Sequence, residues 1–361
     1  MASTYRIDCG NNIDLIKDLE DNSIDCVVTS PPYYGLRDYG TAIWVGGDKN
    51  CKHWRANKGS EKCNTGHKTM MKDLDVAVSD AIYKKVCKQC GAVRVDNQLG
   101  LEETPEEYVK DLVKLFREIK RVLKDDGTVW LNLGDSYVDK NLEGVPWLVA
   151  LALKKDGWYL RQDIIWHKSN PMPEPVKDRF VKSHEYIFLL TKSEKYYFDY
   201  LAVQETATGY DGRHAIEHKG SNKYADKAIV PGGKPQTFAS GGHDRWQIKE
   251  VDGEKEFVRN RRDVWIIPTK AFDGGHFATF PEKLVEPCIK AGCREGGIVL
   301  DPFSGAATTG VVCRKLNRNY IGFELNPEYV KISKNRLAMC LDTDKYELVD
   351  KVDDGKVKLF D

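Results

Sequence analysis

The sequence predicts an α/β protein: a doubly wound, mostly parallel sheet with a polar Cys/His insertion and a small loop-rich region. Three observations predict it. Apolar runs of strand length alternate with helix-period segments along most of the 361 residues, the pattern of parallel strands joined by helical crossovers. Two of the runs, Asp25–Thr29 and Gly297–Leu300, are nearly continuous in apolar residues, as strands covered on both faces are. The composition is ordinary for a globular chain, with 41 % hydrophobic residues, 30 % charged residues, and 55 bases balanced by 55 acids. That composition excludes disordered, collagen-like and coiled-coil classes. No apolar run approaches the roughly 20 residues of a membrane span, and the N-terminus lacks a signal-peptide core. Ten cysteines are too sparse for a disulfide scaffold in a chain of this length, so a reducing, cytoplasmic setting is expected.

In chain order, Tyr5–Cys9 reads as a strand, Ile13–Leu19 as a helix and Asp25–Thr29 as a buried strand. Between Tyr39 and Gly100 the pattern breaks into a polar segment, in which Lys49–Arg94 holds 11 Lys and Arg against 4 Asp and Glu. Thr104-Pro105-Glu106-Glu107 opens a helix, with an N-cap threonine, proline at the first helical position and acids in the first turn. Its apolar stripe is expected at Val109, Leu112, Val113, Phe116, Ile119 and Leu123. Gly127 should close the connection to a strand over Thr128–Leu133. Val145–Lys154 reads as a helix, and Asp163–Trp166 and Tyr186–Leu190 as strands. Thr206–Gly253 loses periodicity and fills with Gly, His, Lys and Pro, as a loop-rich insertion or small module does. Val264–Ile267 and Pro281–Lys290 resume the core pattern. Strand Gly297–Leu300, helix Thr308–Leu316, strand Tyr320–Phe323 and helix Pro327–Arg336 follow, and the tail past Leu341 is charged and peripheral.

Two motifs carry chemistry. In GIVLDPFSGAATTG, Gly297–Gly310, a buried strand ends in Asp301 and a turn of small residues leads into a helix. This is how a nucleotide cofactor is held at the carboxyl end of a parallel strand. Ser304, Gly305 and Ala306 let a ligand approach the backbone. The next strand ends in Glu324, placed to accept hydrogen bonds from a ribose diol. The turn lacks G-x-G-x-x-G spacing, which favours an adenosine cofactor other than a dinucleotide. Taken alone, the motif is also an ordinary strand–helix turn. The second motif, Ser30-Pro31-Pro32-Tyr33, follows the strand DCVVT. Two prolines fix φ and remove two donors, leaving a rim of acceptors beside an aromatic face. Acceptors plus a stacking ring suit an aromatic exocyclic amine; taken alone, the tetrapeptide is also a proline turn leaving a strand.

Together the motifs resemble the amino-DNA methyltransferases that use S-adenosylmethionine. The catalytic Asp/Asn/Ser-Pro-Pro-aromatic tetrapeptide of that family matches Ser30, Pro31, Pro32 and Tyr33. Its cofactor loop matches Asp301-Pro302-Phe303-Ser304-Gly305. The catalytic motif precedes the cofactor motif, as in the circularly permuted β class, and the resemblance spans nearly the whole chain. It implies a Rossmann-like methyltransferase fold and sequence-specific methylation of a base amine in double-stranded DNA. It implies that Asp8, Asp301, Phe303, Ser304, Gly305, Ala306 and Glu324 bind S-adenosyl-L-methionine, together with Phe280 and Lys283 from HFATFPEK. DIIWHKSNP and His184-Glu185-Tyr186 resemble strands flanking the target base, which gives a pocket of Tyr33, Trp166 and Asn170. The target base would leave the duplex and stack on Tyr33. Serine at the head of the tetrapeptide is typical of the cytosine-N4 members, whereas aspartate is typical of adenine-N6 members. Cytosine N4 is therefore the expected target atom and adenine N6 the alternative. An RNA methyltransferase and a catalytically silent zinc-dependent DNA-binding protein are the remaining rivals. A cognate restriction endonuclease on a separate chain, in a prokaryotic or phage setting, is an expected partner.

Cys51-x-His53, Cys63, His67 and Cys87-x-x-Cys90 lie in the basic insertion and suggest structural zinc. The preferred ligands are Cys51, His53, Cys87 and Cys90, with Cys63 and His67 as substitutes or a second site. The alternative is free cysteines on a loop. Arg213–Lys249 holds 7 bases against 3 acids, and Arg213, Lys219, Lys223, Arg245 and Trp246 are expected to touch DNA. The resulting plan has a first part of the catalytic core at 1–38 and 100–205 and a zinc-binding insertion at 39–99. A target recognition region at 206–260, a cofactor-binding part at 261–345 and a charged tail at 346–361 complete it.

Overall fold

The computed structural model describes residues 3–35, 41–53, 86–206, 247–251, 254–270 and 280–340. Its centre is an eight-stranded sheet. The strands are β1 (Tyr5–Cys9), β2 (Ile24–Thr29), β3 (Leu123–Leu133), β4 (Tyr159–His167), β5 (His184–Thr191), β6 (Val264–Ile266), β7 (Ile298–Asp301) and β8 (Asn319–Glu324). Their spatial order is β1-β8-β7-β2-β3-β5-β4-β6. Every neighbouring pair is parallel except the two made by β5. The chain winds outward from β2 in one direction and later resumes on its other side at β7. The crevice between β2 and β7 is therefore a topological switch point, where open α/β sheets bind ligands.

Alternate residues of the buried strands face two separate cores. Cys26, Val28, Trp130, Leu189 and Val299 face one, with α4 (Glu282–Gly292), α5 (Thr308–Lys315) and α6 (Pro327–Met339). Val27, Val129, Leu131, Phe188, Leu190 and Leu300 face the other, with α1 (Asn12–Leu15), α2 (Pro105–Val122) and α3 (Val145–Lys155). This three-layer arrangement is the expected doubly wound fold.

The caps act as the sequence suggests. Thr104 Oγ1 accepts from the Glu107 amide at 3.2 Å, and Pro105 takes the first turn of α2. The buried face of α2 is rotated from the expected stripe: Tyr108, Leu115 and Val122 join Leu112, Phe116 and Ile119 inside, while Val109 and Val113 flank them. The segment expected as one helix from Ile13 divides into α1 and a 3₁₀ turn over Ile16–Asp18. β3 begins at Leu123 and runs through Gly127, with an irregular register against β2 before Thr128. A small antiparallel sheet of Glu205–Thr206, Gln247–Val251 and Glu254–Arg259 straddles the ends of the region expected to be loop-rich, and Gln247–Val251 lies within it. Among the described residues, no helix is long and apolar enough to cross a membrane.

Candidate active site and metal cluster

At the carboxyl end of β2 the chain turns through Pro31 and Pro32. The Tyr108 hydroxyl of α2 donates to the Pro32 carbonyl at 2.8 Å, which fixes the turn from below. The Tyr33 ring lies against Gly134, where an added Cβ would come within 2.6 Å of the ring. Its hydroxyl donates to Glu185 Oε2 at 2.7 Å and receives Asn132 Nδ2 at 2.7 Å. Asn132 also donates to Glu185 Oε2 at 2.9 Å, and Lys168 pairs with Glu185 Oε1. Burial, with Glu185 adjacent, raises the Tyr33 phenol well above its ordinary value, so it remains a donor. Ser30 Oγ makes longer contacts, 3.3 Å to the Tyr33 hydroxyl and 3.4 Å from Asn132 Nδ2. Both sit near the limit of useful hydrogen bonding, which leaves the serine oxygen weakly committed.

Beside this corner, a cleft of about 130 Å³ opens along the carboxyl ends of β1, β8, β7 and β2. Ser30, Pro32, Phe303, Gly305, Ala306 and Glu324 line it. Glu324 is held by two backbone donors: the Asn326 amide meets Oε1 at 2.8 Å and the Gly305 amide meets Oε2 at 2.8 Å. Burial raises its carboxyl to about 7, against these donors. Gly305 sits at φ +51°, and a Cβ there would meet nothing within 4 Å, so its bare backbone leaves the cleft open.

Two residues expected at the cofactor turn instead to the interior. Asp301 is 1 % exposed; its Oδ1 accepts from Thr29 Oγ1 at 2.7 Å and its Oδ2 from Thr309 Oγ1 at 2.8 Å. Burial raises it to about 6, with both hydroxyls opposing. It ties β7 to β2 and shapes the loop from within. Ser304 Oγ likewise receives the buried Tyr320 hydroxyl at 2.9 Å. Asp8 pairs with Arg6 at 2.7 Å, and Gly10, Asn11 and Asn12 form the cleft wall at that end. Phe280 borders a separate small apolar cavity with Thr29 and Asn132, and Lys283 is exposed on α4. Trp166 is 3 % exposed and donates Nε1 to the Ile267 carbonyl at 2.8 Å; it lies beneath Lys168, whose Nζ is 4.8 Å from the ring centre. Asn170 binds Thr269, receiving its amide at 2.7 Å. The indole thus meets the Tyr33 network through Lys168, and the Asn170 amide is tied to Thr269.

Asn132 and Tyr108 join the corner only in the folded geometry, and the fold ties Glu185 and Lys168, from the segments expected to flank the base, to the Tyr33 hydroxyl. Asn132 had a signal in the sequence: a polar side chain within the apolar strand TVWLNL needs a partner. Thr41 and Asn97–Leu99, at the two ends of the insertion, also reach the cleft wall, which no spacing indicated.

In the insertion, Ile43–Val45 pairs antiparallel with Val93–Val95, and this ribbon brings two Cys-bearing ends together. The donor atoms of Cys51, His53, Cys87 and Cys90 all lie within 4.8 Å of one another. The Cys51 and Cys87 sulfurs are 3.7 Å apart, and Cys90 Sγ is 3.5 Å from His53 Nδ1. A tetrahedron with Zn–S of about 2.3 Å and Zn–N of about 2.0 Å has edges of roughly 3.8 and 3.5 Å, so the donor set fits zinc. Backbone donors from Ala92 and Asp48 lower the Cys90 thiol, while the Cys51 thiol of the same cluster is raised. Cys63, His67, Arg213, Lys219, Lys223, Arg245 and Trp246 lie outside the described residues.

The N6/N4 DNA methylase family model matches residues 24–335. The type II methyltransferase M.Cfr9I of Citrobacter freundii is 36 % identical, over 91 % of this chain and 86 % of that protein. M.SmaI of Serratia marcescens is 37 % identical, over 92 % of this chain and 90 % of that protein. Among solved structures, the PvuII DNA methyltransferase (cytosine-N4-specific) superposes with a TM-score of 0.56 at 18 % identity, covering 97 % of this chain and 94 % of that chain. A putative DNA modification methylase of Thermus thermophilus, complexed with S-adenosyl-L-methionine, gives 0.52 at 20 % identity, covering 94 % of this chain and 95 % of that chain. The two superpositions bear out the expected fold.

Proposed function

The chain belongs to the N6/N4 DNA methylase family, and from that premise we propose that it methylates cytosine N4 at specific sites in double-stranded DNA. The observation that carries this reading is the adjacency of the Ser30–Tyr33 corner to the Glu324–Gly305 cleft across the switch point of the sheet. The cleft suits S-adenosyl-L-methionine: the free lone pairs of Glu324 would accept the ribose diol, and the bare Gly305 backbone leaves room for it. When bound, the cofactor supplies an electrophilic sulfonium methyl. The remaining chemistry belongs to the chain's own residues. The lone pair of a base amine is delocalised into the ring, so the nitrogen is a weak nucleophile. Ser30 Oγ and a proline carbonyl accept its N–H groups and favour a pyramidal nitrogen, stabilising the positive charge that develops on it. Tyr33, its hydroxyl anchored on Glu185, offers its ring face to the flipped base. The rigid corner supplies positioning.

Serine at the head of the tetrapeptide supports cytosine over adenine because it is typical of the cytosine-N4 members the chain resembles; its hydroxyl can accept from the amine and donate to the neighbouring ring nitrogen, an arrangement that both bases present. The basic segment within 206–260 would contact the recognised sequence. Zinc on Cys51, His53, Cys87 and Cys90 would hold the insertion together. A cognate endonuclease fits the type II names of the relatives. Transfer of labelled methyl groups tests the reading: duplex DNA should be labelled and RNA not. Ser30→Ala should lower the single-turnover rate while cofactor affinity stays within about twofold. Labelling of RNA alone, or an unaltered Ser30→Ala rate, would contradict it.

A further inference from the structure

The connection from β4 to β5, residues 168–183, leaves the sheet at its ligand-binding end and returns beside Glu185 of the Tyr33 network. On its returning arm Phe180 is 96 % exposed, the highest value among the large apolar side chains of the described residues. Several polar neighbours are held. Arg179 lies 4.1 Å over the Tyr137 ring, pairs with Glu174 at 2.7 Å and donates to the Phe180 carbonyl at 3.0 Å. Asp178 pairs with Lys140 at 2.9 Å, and Lys182 donates to the Asp135 carbonyl at 3.0 Å. Prolines at 171, 173 and 175 stiffen the other arm. A braced loop thus presents one unsupported aromatic ring to solvent.

We propose that Phe180 is a wedge that enters the base stack of the DNA duplex and fills the space left by the flipped target base. Exposed apolar side chains inserted between base steps are a general means of distorting duplexes, and flipping a base costs unstacking that a filler offsets. Phe180 is five residues from Glu185, so the extended chain limits their separation to about 18 Å. Because Glu185 holds the Tyr33 hydroxyl, the Phe180 ring stays on the same end of the sheet as the corner that would receive the flipped base. Charge agrees: apart from Lys168, committed to Glu185, the loop carries Lys177, Arg179 and Lys182 against Glu174 and Asp178, a positive balance toward the phosphates flanking the wedge. This inference rests on the DNA-methylation reading.

The test measures kcat/KM for methyl transfer to a duplex carrying the site mapped by sequencing methylated plasmid DNA. The target base is either normally paired or mismatched. Phe180→Ala should lower kcat/KM at least tenfold on the paired duplex and leave it within about twofold of wild type on the mismatched one, where the base is already loosened. Phe180→Leu should recover most of the loss, and cofactor affinity should not change. Wild-type rates for Phe180→Ala on the paired duplex, or an equal deficit on both, would overturn the wedge. So would conversion of a dimer to a monomer by Phe180→Ala in sedimentation, because the ring would then serve a second copy of the chain. Absence of methyl transfer by the wild type would instead overturn the DNA-methylation reading.

Discussion

At the scale of the residue, the two acids at the ends of β7 and β8 look alike in sequence and do different work. Glu324 keeps lone pairs toward the cleft, whereas Asp301 spends both oxygens on Thr29 and Thr309. That division depends on Thr29, 272 residues away in the chain, and no local pattern reveals it. The raised Glu324 carboxyl, at about 7, sets a pH dependence. A ribose diol donates to the ionised form, so cofactor affinity should be full above that value and fall as pH drops through it, by up to about tenfold per unit. Glu324→Gln should bind at least tenfold more weakly at alkaline pH, about 1.4 kcal/mol, and show little pH dependence. Calorimetry on both sides of neutrality measures this; a flat wild-type profile would remove the role given to Glu324. Stability moves the other way. A carboxyl raised on folding costs stability above its folded value, and the cost is relieved as pH falls toward the ordinary carboxylate range. Glu324 and Asp301 both act in that direction.

At the scale of the element, caps and strand-end turns were legible because their causes are local. Thr104 and Pro105 mark the start of α2 whatever packs above it. Which face of α2 is buried was less legible, because the helix packs on both the sheet and α3, and that choice is made by the layer as a whole. The gathering of Cys51, His53, Cys87 and Cys90 was legible, since their spacing in the sequence already pointed to one cluster. Its link to the cleft was not. Thr41 Oγ1 donates to Asp96 Oδ1 at 3.1 Å across the base of the ribbon, and Thr41 and Asn97–Leu99 form part of the cleft wall. Metal at the outer end should therefore steady the wall at the inner end. Elemental analysis of protein purified without chelator should find about one zinc per chain. Cys87→Ser or Cys90→Ser should release it and weaken cofactor binding severalfold. Protein that carries no metal, or metal-free protein with unchanged cofactor affinity, would contradict this.

At the scale of the molecule, the sheet order and motif order explain each other. The Ser30–Tyr33 tetrapeptide follows the strand where winding begins, and the Asp301–Gly305 loop follows the strand where it resumes. Sites some 270 residues apart in sequence therefore become neighbours. This much was legible, because two strong motifs at strand ends leave few topologies that join them. The wall of the target-base pocket was not. Trp166 and Asn170 were expected there, but which way such a side chain faces depends on packing with Ile267 and Thr269, their partners in the fold. The target atom depends on that same wall and on Ser30, so it is where the account is most exposed. Nucleoside mass spectrometry of unmodified DNA after methylation in vitro tests it directly. The account predicts N4-methylcytosine. N6-methyladenine without N4-methylcytosine would contradict it, and would do so even with the fold, the cleft and the Ser30–Tyr33 corner unchanged.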